Sequence, residues 1–183
     1  MKKKAPDKAT AARKRLRRSQ ELAGDFESLV ASIAQIHRKT QEFANKAVNV
    51  GLTLRNWFIG HRIVEFEQNG AERAMYGARL LPRLAERLTA EFGRGFDERN
   101  LRHMRLFFGL FPNWNALRTE LSWTHYRSLL RTDSAEARQW YVEEAAAHNW
   151  STRALERQIG SLYYDRLLLS QDKAAVTAEA QAN

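Results

Sequence analysis

Apolar side chains recur at helical spacing from Leu29 to Val64, and this pattern limits the folds open to the chain more than any other feature. The spacing is that of one helix face, because three to four residues make one helical turn. It predicts one long helix, or two helices that meet near Asn49 and Gly51. A pattern of this length is also typical of a helical hairpin or of a dimerising coil.

The remaining apolar residues show the same helical spacing in shorter segments. A stripe from Leu81 to Phe92 predicts one helix, with Pro82 either in its first turn or at a kink, and Pro112 is expected to end the next helix. No run alternates as a half-buried strand does. The sequence therefore predicts an all-α fold, with a long N-terminal helix or helical hairpin followed by helix–turn–helix-like units. The expected N-caps are Asp25, Asp97, Ser122, Asp133 with Glu136, and Ser151.

The positive charge is concentrated at the N-terminus. The chain has 183 residues and a net charge of +9, and residues 1–20 alone contain nine Lys or Arg and one Asp. We therefore expect a basic, disordered arm over residues 1–24, or an arm that becomes helical on binding. A helical domain is expected over residues 25–169, and a disordered tail over 170–183.

Several classes of protein do not fit this composition. The chain has no cysteine, which excludes disulfides, thiolate metal sites and a cysteine nucleophile, and fits a cytoplasmic protein. No apolar run is long enough for a membrane span, so no membrane partner is expected. No phosphate-loop or nucleophile motif occurs, and no Lys lies between Lys46 and Lys173, where a nuclease motif of the (D/E)-x-K kind needs one. We expect no cofactor, no metal and no catalytic residue.

The helix predicted after Asp97 carries the best candidate site. The turn Gly93-Arg94-Gly95 precedes it, and Arg105 lies on the flank of the same face. Arginine reads guanine or phosphate and asparagine reads adenine, so the segment predicts a DNA-binding helix. The alternative is an ordinary amphipathic helix with a solvated basic face. The candidate residues are Arg94, Arg99, Asn100, Arg102, His103 and Arg105, opposite the predicted buried residues Leu101, Met104, Phe108 and Phe111.

A second candidate lies near the C-terminus. Arg153 and Arg157 share a helix face after the Ser151 cap, on a helix whose inward residues are predicted to include Leu155, Ile159, Leu162 and Leu167. Glu143 and Glu144 on the preceding helix would repel phosphate. A packing hairpin is therefore the competing interpretation of this segment.

Several blocks of the sequence resemble one known family. These are Trp57–Val64, Tyr76–Leu81, Leu88–Leu101, Leu121–Tyr126 and Trp150–Ile159, which are similar in sequence and order to the N-terminal domain of YhcG-type PD-(D/E)xK nucleases. The resemblance implies a helical, DNA-binding module that precedes a nuclease domain. The chain ends about where that nuclease domain is expected to begin, so the family's catalytic residues have no positions here. A stand-alone module, a split gene and a truncated relic are the three alternatives.

Two functions follow from these observations. The first is a non-catalytic DNA-binding module, with DNA as its partner. The alternative is a protein-interaction module that forms a homo-oligomer, or that docks a separately encoded nuclease-domain or other DNA-processing subunit. An enzyme with a reaction of its own is the least supported of the classes considered.

Overall fold

A computed structural model of the chain describes residues 8–68 and 79–170, with side chains from residue 24 onward. Helix α1 covers Lys8–Gln68 without a break at Asn49 or Gly51, which selects the single long helix from the two alternatives. Asp25 lies inside α1, so the cap predicted there is wrong. The helix also extends back through part of the segment predicted as the basic arm. From residue 171 onward the predicted tail lies outside the described residues, and the predicted domain limits stay predictions.

Six shorter helices and one 3-10 turn follow α1, and the described residues contain no strand. The all-α prediction is confirmed. The elements are α2 (Leu80–Phe92), α3 (Glu98–Leu110), a 3-10 turn (Trp114–Ala116), α4 (Trp123–Leu129), α5 (Ala135–Ala147), α6 (Thr152–Gly160) and α7 (Tyr163–Leu169). The chain divides into two compact units, Met1–Asn45 and Lys46–Asn183.

An aromatic core holds the second unit together. Phe107 and Tyr126 are fully buried, with ring centroids 4.8 Å apart, and Phe107 also contacts Trp123 at 5.3 Å. Leu101 and Met104 are buried as predicted, in a second cluster with Leu81. Phe107 of α3 is also fully buried, in the first cluster. Phe108 and Phe111, which were predicted to be buried, are partly buried residues packed against that cluster.

For α3 to α6, the N-caps are the predicted residues with one shift, at α5. Asp97 and Ser151 accept hydrogen bonds from the backbone N–H groups of Asn100 and Ala154, at 3.0 and 3.1 Å. Helix α5 is capped by Ser134, which accepts from the N–H of Ala137 at 3.1 Å, so the cap predicted at Asp133 is wrong. A serine hydroxyl one residue further along serves the same first turn.

The last predicted helix is two helices. The chain turns at Leu162, which has a left-handed φ of +52° and is exposed, so its predicted inward position is wrong. The Tyr141 hydroxyl ties the two pieces together, because it donates to the carbonyl of Gln158 on α6 and accepts from the N–H of Tyr164 on α7, both at 3.1 Å.

Helices α1 and α3 approach very closely at Gly60. A Cβ atom placed on Gly60 would lie 2.0 Å from the carbonyl oxygen of Met104 and 3.1 Å from Cβ of Phe108. Only a residue without a side chain allows this contact. Nearby, the indole N–H of Trp57 donates to the carbonyl of Phe111 at 2.6 Å, which fixes the end of α3 against α1. These two contacts set the position of the helix that carries the candidate site.

Candidate nucleic-acid interface

The turn between α2 and α3 is built from two glycines and an asparagine. Gly93 and Gly95 have φ values of +79° and +111°, which residues with a side chain rarely adopt. The Asn100 side chain donates to the carbonyl of Gly95, while its backbone N–H is held by Asp97. Asn100 therefore braces the turn, and its side-chain oxygen is buried without a hydrogen-bond partner among the described residues.

The first turns of α3 form one wall of an open cleft of about 460 Å³. We call it the arginine cleft. Three helices contribute a guanidinium group each: Arg55 from α1, Arg99 from α3 and Arg127 from α4. The other residues that line it are Asn56, Gly95, Asp97, Asn100, His103 and Trp123.

The acidic content of the arginine cleft is small. Asp97 is the one acid in its lining, and its carboxylate already caps the Asn100 backbone. Within the described ranges, neither Arg99 nor Arg127 forms an ion pair, and both are exposed. The cleft thus brings together three arginines and one aspartate, so its lining has a net positive charge.

His103 reports this local field. Its pKa is lowered from the ordinary histidine value of 6.5, first by burial and then by the positive charges of Arg127, Arg99 and Arg131, against a smaller opposing effect of Asp97. A further positive charge on His103 is disfavoured beside these arginines, because like charges repel most where water is partly excluded. An anion bound here would reverse that effect and favour the imidazolium.

Arg55 is held in place by its neighbours on both sides. Its Nε and Nη2 donate to Oδ1 of Asn56 at 3.1 and 3.0 Å, and Asn56 is itself almost completely buried. On its other side, the guanidinium lies 5.4 Å from the ring centroid of Phe96. These contacts leave an exposed side chain with a defined position at the rim of the cleft.

Two of the predicted α3 arginines form ion pairs with glutamates outside the cleft lining. Arg102 forms an ion pair with Glu98 one turn earlier on the same helix. Arg105 binds Glu67 near the end of α1, with 2.8 Å between Nη1 and Oε1. Of the predicted α3 residues, the structure brings Arg99, Asn100 and His103 together in the arginine cleft and leaves Arg102 and Arg105 outside its lining.

The other three predicted arginines are exposed but do not line the cleft. Arg94 lies on the turn between the two glycines, and Arg153 and Arg157 lie on α6. DNA contact by these three residues stays a prediction. His125 has a structural role: its Nδ1 accepts from the N–H of Ser122, and its Nε2 contacts the carbonyl of Trp150 at 2.9 Å.

Sequence reasoning missed Arg55, Asn56, Trp123 and Arg127. The excess of arginine between Arg94 and Arg131 was a usable signal for Arg127. Nothing in the local pattern of α1 distinguishes Arg55 from other exposed helix residues. Its part in the cleft comes from the packing of α1 against α3.

The described residues contain neither a membrane-spanning helix nor a group of metal ligands. No described helix is long and apolar enough to cross a membrane. No group of three or more His, Asp or Glu side chains is placed to hold a metal ion within the described ranges.

The sequence that forms this all-α fold matches a recognised domain family. Residues 32–166 match the DUF1016 N-terminal domain, and the chain belongs to that family. It is 37% identical to an Escherichia coli (strain K12) protein named "Putative nuclease YhcG", over 72% of this chain and 44% of that protein. The chain thus spans less than half the length of that curated relative. No solved structure matches the chain.

Proposed function

We propose that this chain is a DNA-binding module without catalysis of its own, and that the arginine cleft receives the DNA phosphate backbone. One observation carries the proposal: Arg55, Arg99 and Arg127 converge on one open cleft from three separate helices. Arginine forks onto phosphate through two parallel N–H donors, so convergent arginines suit a phosphate better than they suit a neutral ligand.

The size and polarity of the cleft agree with a nucleotide-sized ligand. Its volume of about 460 Å³ lies within the range of roughly 300–1,000 Å³ that is usual for ligand sites. The buried side-chain oxygen of Asn100 is an acceptor without a described partner.

The family adds context to this proposal. The E. coli relative is named as a nuclease, and nucleases act on nucleic acid. The proposal assigns no reaction to the present chain, because the sequence has no lysine between Lys46 and Lys173 that could complete a (D/E)-x-K motif. The basic residues before Gln20 would add phosphate contacts that do not depend on DNA sequence.

A salt series on the intact chain tests the proposal. We expect binding to a short duplex at low salt, and a loss of about a thousandfold in affinity between ~50 and ~200 mM salt if about six phosphates are neutralised. Fluorescence anisotropy with a labelled duplex measures both quantities. Failure to bind at low salt would rule the proposal out.

His103 gives the proposed binding a defined pH dependence. Because the pKa of His103 is lowered in the free chain and a bound phosphate would raise it, binding takes up a proton in the pH range between these two pKa values. We expect DNA affinity to rise severalfold on acidification, at most about tenfold per pH unit. The groups that act on His103 are Arg99, Arg127, Arg131 and Asp97.

Titration of affinity against pH, with His103→Gln beside the wild type, measures this effect. The variant should lose the extra pH dependence, while His148→Gln, which changes an exposed histidine away from the cleft, should keep it. Equal pH profiles for His103→Gln and wild type would remove His103 from the proposed interface.

A protein-interaction module is a second candidate function, favoured by a different observation. Large apolar side chains of α1 stand exposed in the unit Met1–Asn45, among them Phe26, Ile36 and Phe43. Exposed apolar patches of this extent commonly mark protein contacts. The two functions are compatible, because the arginine cleft lies wholly within Lys46–Asn183.

A further inference from the structure

The exposed apolar residues of α1 form a regular seam. Intervals of three and four residues alternate without exception through Phe26, Leu29, Ile33, Ile36, Thr40 and Phe43. We call these six residues the α1 seam; they occupy successive a and d positions of a heptad repeat. Each of the five apolar members is more than half exposed. Exposure of an apolar a/d stripe to water is unfavourable, and packing against a second helix would bury it.

Thr40, the polar member, does not interrupt the seam. Its hydroxyl donates to the carbonyl of Ile36 at 2.8 Å, within the same helix. The hydroxyl is therefore already satisfied, and the methyl group is available for an apolar layer. All six positions can enter a helix–helix contact without an unpaired polar group.

We propose that the α1 seam pairs with the α1 seam of a second copy of this chain, in antiparallel orientation. The antiparallel register that uses all six residues places Phe26 against Phe43 of the second copy, Leu29 against Thr40, and Ile33 against Ile36. Each layer then joins an a position to a d position. The contact extends over eighteen residues, or about 27 Å of helix.

The charges beside the seam agree with this register. Asp25 and Lys46 occupy g positions. In the antiparallel pair, Asp25 of each copy lies next to Lys46 of the other copy. This puts one opposite-charge pair at each end of the contact. The remaining flanking positions, which include Val30, Ser32 and Lys39, bring no two acids and no two bases together.

The N-terminal charge argues against the parallel alternative. Residues 1–20 contain nine Lys or Arg against one Asp, so two parallel helices would begin side by side with strongly positive segments. Like charges held together in this way are destabilising. Antiparallel helices place the two basic segments at opposite ends of the contact. The second copy thus satisfies both the apolar and the charged features of α1.

Light scattering of the intact chain tests the pairing. We expect a mass twice the 21.2 kDa of one chain at micromolar concentration, and the mass of one chain for Ile33→Asp with Ile36→Asp. The matched control is Ala31→Asp with Asn45→Asp, which adds two charges to the same helix at f positions opposite the seam, and it should remain a dimer. A monomeric wild type, or an Ile33→Asp/Ile36→Asp variant that stays dimeric, overturns the proposal.

Disulfide trapping tests the orientation, since the chain has no cysteine of its own. Phe26→Cys and Phe43→Cys chains should form a disulfide-linked dimer when mixed, and neither should do so alone. Linked dimers of Phe26→Cys alone would show parallel helices and refute the antiparallel register. Because neither experiment contains DNA, failure of this proposal and failure of DNA binding are separate results.

Discussion

Gly60→Ala is expected to lower the free energy of unfolding by about 3 kcal/mol, the upper part of the range for overpacked sites. The added methyl carbon would lie 2.0 Å from the Met104 carbonyl oxygen, and a backbone oxygen on a buried helix cannot turn aside as a side chain can. Helix α3 would have to move away from α1. That movement would also weaken the hydrogen bond from Trp57 to Phe111.

The same helix supplies a matched control for this substitution. Gly51 lies on α1, and a Cβ placed on it would have no described atom within 4 Å apart from its chain neighbours and the nearby backbone of α1. Gly51→Ala should therefore stabilise the chain by up to about 1 kcal/mol, because alanine suits a helix interior better than glycine. Urea unfolding followed by circular dichroism measures both variants. Equal stability of Gly60→Ala and wild type would mean that α1 and α3 are not packed as described.

Arg99→Gln combined with Arg127→Gln is expected to weaken DNA binding on the order of 100-fold, since each of the two exposed charge-assisted contacts contributes about 1.5 kcal/mol, the lower end of the usual range. The slope of log affinity against log salt should fall by about two, because two phosphate contacts are lost. Both side chains are exposed, so neither change removes core packing. Anisotropy titrations at several salt concentrations give both quantities.

The control for that variant removes the same charge elsewhere. Arg102 and Arg118 are exposed arginines already paired with Glu98 and Glu120. Arg102→Gln with Arg118→Gln should weaken binding much less, because these guanidinium groups face carboxylates. Similar losses for the two double variants would show that binding follows total charge, and would remove the arginine cleft from the proposed function.

The elements of this fold are largely visible in the sequence. Helical spacing predicts α1, and the caps at Asp97 and Ser151 are used as expected, because both signals depend on residues close together in the chain. The turn at Leu162 was missed, since the apolar spacing continues through it and leucine rarely adopts a left-handed φ.

The candidate site is less visible for a physical reason. Arg99 and His103 share a helix face, and that face is predictable from helical geometry. Arg55 and Arg127 join them only through the packing of α1 and α4 around α3. Arg105 shows the opposite outcome, because it points along the predicted face yet binds Glu67. Ion pairs between residues far apart in the sequence decide which arginines can bind a ligand, and local sequence patterns do not show these pairs.

The fixed position of Arg55 lowers the entropic cost of association. A free arginine side chain carries about 2 kcal/mol of rotamer entropy, which a ligand must suppress on binding. Asn56 and Phe96 have already restricted Arg55 in the unliganded chain. Its contact with a phosphate should therefore form with a smaller entropic loss than those of Arg99 and Arg127. Calorimetry should therefore show a less favourable binding entropy for Asn56→Ala than for the wild type, because Arg55 is less restricted in the unliganded variant.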